Sequence, residues 1–173
     1  MSSVAIIGGT GLTSLQGLQI SNREIVQTPY GEPSGILVRG NYCGDEVLFL
    51  PRHGPGHTIP PHQVNYRANI WALKEVGVTN VIAVNAVGGI RPDLEPGALV
   101  IPDQIIDYTW GRTNTYFEDS LKHVVHVDFT EPYCASLRLK LIKAAAQASL
   151  AVIADGTYGA TQGPRLETTA EID

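Results

Sequence analysis

Short apolar runs that end in glycine-rich loops are the clearest pattern in the first half of the chain. Residues 4–7 form a β-branched apolar run, and residues 8–11 follow it as Gly-Gly-Thr-Gly. A compact apolar run bounded by glycines is typical of a buried strand that leads into a tight loop. Residues 80–84 have the same form and lead into residues 85–89. The pattern therefore predicts two buried strands with glycine-rich loops at their carboxyl ends.

Further apolar runs predict a hairpin and several short strands. The runs 36–39 and 47–50 flank Gly44-Asp45, which favours a β-hairpin. The remaining strand candidates are residues 98–101, 105–108, 152–153 and 156–161.

Two segments have apolar residues at helical spacing, residues 62–76 and 136–150. The first is stopped by Gly77. Its apolar residues near one face are Val64, Ala68, Trp71 and Ala72. Apolar strands that alternate with helices predict an α/β fold, a mixed and mostly parallel twisted sheet with helices on both faces. No repeat, low-complexity stretch or linker interrupts the pattern, so we expect a single domain over residues 1–173.

The last residues of the sequence have the pattern of a helix start. Residues 168–171, Thr-Thr-Ala-Glu, fit the capping box that begins a helix. The sequence stops at Asp173, and a helix of a few residues does not support itself. We therefore expect a domain that lacks its C-terminal portion, with a short frayed tail as the alternative.

Composition and charge narrow the class of protein. The 173 residues carry 12 Lys+Arg and 17 Asp+Glu and are 43% hydrophobic, which excludes a disordered acidic tail and gives no sign of a nucleic-acid binder. Cys43 and Cys134 lack disulfide or metal-ligand spacing, so we expect them to be reduced and buried or inert. With no membrane-length apolar run and no signal-peptide pattern, a soluble cytoplasmic protein is expected.

Three loops that follow predicted strands carry groups suited to a phosphate-sized anion. The first offers backbone amides and the hydroxyl of Thr10, although a purely structural glycine turn is an equal alternative. The second offers Arg52 and His53, for which a surface ion pair and a loop histidine are the alternatives. The third begins at Asn85. Because ligands collect outside the carboxyl ends of strands in open α/β sheets, the three loops predict one anion site.

A lone carboxylate near the end of the sequence is the other candidate for ligand binding. Glu167 lies beside Leu166 and just before the predicted helix. It can accept hydrogen bonds from ligand N–H groups, or it can be a charge favoured at a helix start. The histidines lack partners at metal-ligand spacing, so no metal site is expected.

Taken together and in this order, five segments resemble the trimeric purine nucleoside phosphorylase superfamily, in its methylthioadenosine/methylthioinosine phosphorylase branch. These segments are residues 6–12, 52–54, 64–74, 85–89 and 163–168. The resemblance implies a nucleoside phosphorylase fold, a homotrimer, and phosphorolysis of a purine nucleoside with inorganic phosphate as co-substrate. It implies no cofactor, no metal, and neither nucleic acid nor membrane as a partner.

The resemblance also assigns roles to residues of this sequence. On the phosphate side it implies Thr10, Arg52, His53, Asn85 and Ala86. On the nucleoside side it implies Gly88 along the purine, Leu166 and Glu167 in the base pocket, and His126 reaching the 5′-substituent pocket of the neighbouring subunit. The residue that assists departure of the purine is unknown and is expected beyond Asp173.

Two departures from the adenosine-preferring branch bear on the substrate. That branch has threonine where Asn85 stands and serine where Glu167 stands. A carboxylate can accept the N1 proton of a 6-oxopurine, whereas adenine presents a bare N1, and an unpaired contact costs about 1–3 kcal/mol. The expected substrate is therefore S-methyl-5′-thioinosine. The alternatives are methylthioadenosine, a general 6-oxopurine nucleoside, or a non-enzymatic module that binds a nucleoside or phosphate.

Overall fold

A computed structural model of the chain describes residues 3–118 and 121–173. The chain divides into two compact units. The first comprises Met1–Val87 and Arg112–Tyr116, and the second comprises Gly88–Gly111 and Phe117–Asp173. Each unit has its own sheet, and a single domain over the whole chain stays a prediction.

A mixed sheet of five strands and one helix form the first unit. The elements are β1 (Ser3–Gly8), β2 (Gln19–Glu24), β3 (Leu37–Tyr42), β4 (Asp45–Pro51), a 3₁₀ turn (Pro61–Gln63), α1 (Tyr66–Glu75) and β5 (Val78–Ala83). The strand order is β2-β3-β4-β1-β5, in which β1 is parallel to β4 and β5. The pairs β2–β3 and β3–β4 are antiparallel. The mixed sheet predicted from the apolar runs is therefore confirmed.

The predicted hairpin is present as β3 and β4. Tyr42 pairs with Asp45, and the two residues between them have positive φ, 52° at Cys43 and 96° at Gly44. Positive φ at both central residues matches the right-handed twist of the strands that the turn connects. Strand β2, in contrast, was not predicted, because its side chains are largely polar and exposed.

Strands β1, β3 and β4 and helix α1 supply the core of the first unit. The largest fully buried side chains are Leu37, Leu48, Leu50 and Leu73. The helix begins at Tyr66, later than the predicted residue 62, because the Asn65 side chain accepts a hydrogen bond from the backbone N–H of Ala68 and caps it.

The second unit is built on a parallel pair of strands, β6 (Gln104–Asp107) and β7 (Thr157–Ala160), with the helices α2 (Ala135–Gln147) and α3 (Thr169–Ile172). The strands predicted at residues 98–101 and 152–153 are reduced to one bridge between Val100 and Ile153. On α2, Arg138 donates to the carbonyl of Pro102 at 2.8 Å. The predicted capping box is confirmed at the start of α3. The Thr168 side chain accepts from the backbone N–H of Glu171, and the Glu171 side chain accepts from the backbone N–H of Thr168.

Both cysteines are free and exposed, so of the two expected alternatives, buried or inert, the buried one is wrong. Cys43 lies in the tight turn of the hairpin, and Cys134 precedes the first residue of α2. Turns and helix starts lie at the surface, where backbone groups can reach water. Among the described residues, no helix combines the length and the apolar character needed to cross a membrane.

Asn69, buried on α1, ties the loop before β3 to the helix. Its Oδ1 accepts from the backbone N–H of Ser34 at 2.7 Å, and its Nδ2 donates to Ser34 Oγ at 2.9 Å. Both residues are buried, so each group depends on the other for its hydrogen bond.

We expect Asn69→Ala to lower the free energy of unfolding by about 1–3 kcal/mol, because it leaves the buried Ser34 N–H without its acceptor. Urea denaturation followed by circular dichroism measures the shift in midpoint. The control is Asn114→Ala at an exposed position, and equal midpoints for the two variants would contradict the assignment.

Candidate functional site

Three strands of the first unit end side by side at one edge of its sheet. Strand β1 lies between β4 and β5 and is parallel to both, with Gly8 paired to Pro51 and Ile7 paired to Ala83. Hydrogen bonds continue into the loops, since the Arg52 N–H donates to the Gly8 carbonyl at 2.8 Å. The Val84 N–H donates to the Ile7 carbonyl at 2.9 Å. The loops that follow these strands therefore start from one edge, the place where α/β sheets bind ligands.

The structure brings the five predicted phosphate-side residues to this edge. Thr10 follows β1, Arg52 and His53 follow β4, and Asn85 and Ala86 follow β5. Thr10, Asn85 and Ala86 are exposed, Arg52 is half-buried and His53 is buried. The edge thus combines a guanidinium, an imidazole, a hydroxyl and an amide, a set that can hold a phosphate-sized anion. Their role as phosphate ligands stays a prediction.

Gly9 provides the space that the Arg52 side chain occupies. A Cβ built on Gly9 would collide with Arg52 Nη2 and would lie 2.8 Å from the carbonyl oxygen of Val84. Only a residue without a side chain lets the guanidinium lie against the β1 loop. The sequence analysis did not assign this role to Gly9, although a second glycine directly after a buried strand is a signal for close approach of another group.

His53 is held in one orientation by the chain that follows it. Its Nδ1 lies 2.8 Å from the carbonyl oxygen of Ile59, and its ring centroid lies 4.8 Å from that of His57. Burial lowers the pKa of His53, and the nearby Arg52 and His57 act in the same direction, against the hydrogen bond to Ile59. The imidazole is therefore neutral at neutral pH. The contact with Ile59 has no signature in the sequence.

In the second unit, Glu167 carries an ionised carboxylate that is already oriented. Thr161 Oγ1 donates to Glu167 Oε1 at 2.6 Å, and this hydrogen bond is the main cause that lowers the pKa of Glu167. An ionised carboxylate only accepts hydrogen bonds, so the group can receive a ligand N–H and cannot supply one. The neighbouring Leu166 is 83% exposed and offers an uncovered apolar surface.

Gly88 and His126, the other two residues predicted on the nucleoside side, make no described contact with the Glu167 carboxylate. Gly88 is exposed, and a Cβ built on it meets open space. His126 lies in an irregular, exposed segment, and within the described ranges no hydrogen bond or ring contact joins it to Leu166 or Glu167. The roles of Gly88 along a purine and of His126 in a neighbouring subunit's pocket stay predictions.

Glu171 accepts hydrogen bonds from two residues that flank Glu167 in the sequence, Arg165 and Thr168. Arg165 donates to both carboxylate oxygens of Glu171, at 2.7 and 2.8 Å, and the backbone N–H of Thr168 donates to Oε2 at 2.7 Å. These donors lower the pKa of Glu171 to about 2, with Arg165 as the largest cause.

In the part of the chain that the structure describes, no group of three or more His, Cys, Asp or Glu side chains is placed to hold a metal ion.

A model of the family described as the phosphorylase superfamily matches residues 3–173. The chain belongs to this superfamily. The mixed sheet flanked by helices is the fold of nucleoside phosphorylases, as predicted, and the protein is an enzyme of the pentosyltransferase class.

Curated relatives of this phosphorylase carry several names. A probable S-methyl-5′-thioinosine phosphorylase from Pseudomonas syringae pv. tomato is 54% identical over 172 residues, which cover 99% of this chain and 70% of the relative. An S-methyl-5′-thioadenosine phosphorylase from Hyperthermus butylicus is 48% identical, over 98% of this chain and 61% of the relative. A 6-oxopurine nucleoside phosphorylase from Pyrococcus furiosus is 49% identical, over 99% of this chain and 66% of the relative.

A solved structure agrees with the fold. The methylthioadenosine phosphorylase from Schistosoma mansoni in complex with adenine superposes with a TM-score of 0.94 at 39% identity, over 99% of this chain and 69% of that chain. The relatives therefore share a reaction, phosphorolysis, and differ in the nucleoside that their names give.

We expect Gly9→Ala to weaken binding of inorganic phosphate about 10- to 100-fold, because the new Cβ displaces the guanidinium that would bind the anion, and hydrogen bonds to charged groups are worth about 1.5–3 kcal/mol. Isothermal titration calorimetry measures the dissociation constant.

The matched control for that variant is Gly159→Ala, since a Cβ on Gly159 meets nothing within 4 Å. Gly9→Ala with the same phosphate affinity as the Gly159→Ala control would show that Arg52 does not need this space.

The hydrogen bond between the Thr168 N–H and the Glu171 carboxylate is sensitive to acid, because it depends on the ionised form of Glu171, whose pKa is lowered. The contact is fully present above the ordinary glutamate pKa of 4.5 and is lost as the pH falls towards about 2. We expect the Thr168 amide resonance in NMR spectra to stay constant between pH 7 and pH 4.5. In Arg165→Gln, which removes the largest cause of the shift, the same resonance should change at a higher pH than in the wild type. Identical titrations in the two proteins would contradict the assignment.

Proposed function

We propose that this phosphorylase cleaves S-methyl-5′-thioinosine with inorganic phosphate, and that it releases hypoxanthine and 5-methylthioribose 1-phosphate. The observation that carries the choice of base is the oriented, ionised carboxylate of Glu167. The proposal includes a homotrimer in which His126 serves the 5′-substituent pocket of a neighbouring subunit.

The anion site at the edge of the first unit's sheet is the proposed phosphate site. Arg52 and Thr10 donate to phosphate oxygens there, and the loop that begins at Asn85 and Ala86 closes its other side. In the reaction the C1′–N9 bond breaks, its electron pair leaves with the purine, and a phosphate oxygen forms the new bond to C1′. Holding both reactants removes much of the entropic barrier, and the negative phosphate stabilises the cationic ribosyl group as it forms.

The chemistry of the base favours a 6-oxopurine. Hypoxanthine carries a proton on N1 that a carboxylate can accept. One oxygen of Glu167 already receives the Thr161 hydroxyl, so the other remains as the acceptor for the ligand. Adenine would place its own N1 lone pair against this oxygen, at a cost of about 1–3 kcal/mol or about 5- to 150-fold in kcat/KM.

A general 6-oxopurine nucleoside is the second candidate substrate. Inosine carries the same base, so the argument from Glu167 applies to it without change, and the Pyrococcus furiosus relative bears that name. The two candidates differ only at the 5′ position, where His126 is the proposed contact.

We expect Glu167→Ser to reverse or abolish the preference for methylthioinosine over methylthioadenosine, by about 5- to 150-fold in the ratio of kcat/KM values. Steady-state assays of phosphate-dependent hypoxanthine or adenine release measure this ratio, with inosine as a third substrate. Glu131→Ser is the control, because it removes an exposed carboxylate of the same unit that has no assigned role. Comparable use of both substrates by the wild type would overturn the proposed specificity, and faster use of inosine would favour the second candidate.

A further inference from the structure

The side chain of Glu167 is anchored to the end of strand β7. Thr161 directly follows Ala160, the last residue of β7, and its Oγ1 donates to Glu167 Oε1 at 2.6 Å. The end of the strand is itself held, since the Tyr108 N–H donates to the Ala160 carbonyl at 2.8 Å. Thr161 is half-buried, whereas Glu167 is exposed. A hydroxyl placed by a paired strand thus orients a carboxylate that would otherwise rotate in water.

The backbone around this carboxylate is held by separate contacts. Arg165 Nη1 donates to the Leu166 carbonyl at 3.0 Å, and the Thr168 N–H donates to Glu171 Oε2 at 2.7 Å. Neither of these hydrogen bonds involves Thr161. Loss of the Thr161 hydroxyl should therefore release the carboxylate and leave the path of the backbone in place.

The protonation of Glu167 also depends chiefly on Thr161. Its hydrogen bond is the largest cause that lowers the pKa of Glu167. Within the described part of the chain, the charged groups that act on Glu167 are Glu171, which raises its pKa, and Arg165, which lowers it. These two groups pair with each other at 2.7 Å and act on Glu167 in opposite directions, so neither replaces the hydroxyl.

We propose that Thr161 is a positioning residue that sets the base preference of this phosphorylase, because its hydroxyl holds the Glu167 carboxylate in one orientation for the N1–H group of a 6-oxopurine. Thr161 acts through Glu167 in this role and makes no contact with the base. The inference rests on the proposed function, in which Glu167 binds the base. It adds that a glutamate at this position discriminates fully only when a hydroxyl follows β7.

The expected effect follows from the order that Thr161 imposes before a ligand binds. Without its partner, the long side chain of Glu167 would lose rotamer freedom on binding the base, and a preorganised group avoids that cost. Thr161→Val keeps the branched shape and replaces the hydroxyl by a methyl group. We expect it to lower the preference for methylthioinosine over methylthioadenosine about 2- to 10-fold in the ratio of kcat/KM values, the range of one hydrogen bond.

The pH dependence has a definite sign. In the wild type the pKa of Glu167 lies below the ordinary glutamate value of 4.5, so the carboxylate stays ionised between pH 7 and pH 5. In Thr161→Val this pKa should rise, and protonation should begin at a higher pH. A protonated carboxyl can donate to the bare N1 of adenine. Relative use of methylthioadenosine should therefore increase in the variant as the pH falls from 7 to 5, whereas the wild-type ratio stays constant.

The test combines two measurements on the full-length protein. Steady-state assays give the ratio of kcat/KM values for the two nucleosides across this pH range, and carbon-13 NMR of the Glu167 carboxyl gives its pKa without any substrate. Thr161→Ser keeps the hydroxyl and should retain the wild-type ratio and pKa. Thr161→Ala lacks it and should behave as Thr161→Val, which guards against a defect peculiar to one variant. Thr157→Val is the matched control, at an exposed position of β7 with no assigned role.

The outcomes separate this inference from the proposed function. A raised Glu167 pKa and a reduced preference in Thr161→Val and Thr161→Ala, both restored in Thr161→Ser, support the inference. An unchanged preference or an unchanged Glu167 pKa in the variants without the hydroxyl overturns it, even if the wild type prefers methylthioinosine as proposed. If the wild type shows no such preference although the Glu167 pKa responds to Thr161→Val, the proposed function falls, and the role of Thr161 in base preference falls with it.

Discussion

The parallel pairing of β1 with β4 on one side and β5 on the other is the constraint on which the candidate anion site depends. The ladder does not stop with the strands, since the N–H groups of Arg52 and Val84 still bond to the carbonyls of Gly8 and Ile7. Because these bonds fix where each loop starts, three segments distant in sequence present their first residues at one edge. Strands β1 and β4 also supply Ala5, Ile7, Leu48 and Leu50 to the hydrophobic core of the first unit.

The charge states of the candidate residues in each unit follow from local contacts. Arg52 is cationic, His53 is held neutral by burial and by its cationic neighbour, and Glu167 is held ionised by the Thr161 hydroxyl. These states distinguish ligands that have similar shapes. A 6-oxopurine carries a proton on N1 and adenine carries none there, so an ionised carboxylate distinguishes the two bases.

The sequence predicted the parts of this arrangement that leave a periodic or local signal. The apolar runs before Gly8 and Asn85 indicated the buried strands, and the position of Arg52 after another such run placed it at the same edge. Strand β2 was missed because its polar side chains give no alternation, and the strands at 98–101 and 152–153 were overestimated because apolar runs alone do not ensure pairing. The contacts of Ile59 with His53 and of Thr161 with Glu167 depend on the folded path of the chain, which no local pattern encodes.

The absence of a side chain at residue 9 links two positions that lie far apart in the sequence. The Arg52 guanidinium occupies the volume that any Cβ there would need, so the size of residue 9 limits the length of residue 52. The same Cβ would lie 2.8 Å from the carbonyl oxygen of Val84, so an alanine at residue 9 would press on the backbone after β5 as well as on Arg52. Residue 9 therefore constrains the loops after all three parallel strands at once, because it is part of the first, contacts the side chain from the second and approaches the backbone at the start of the third.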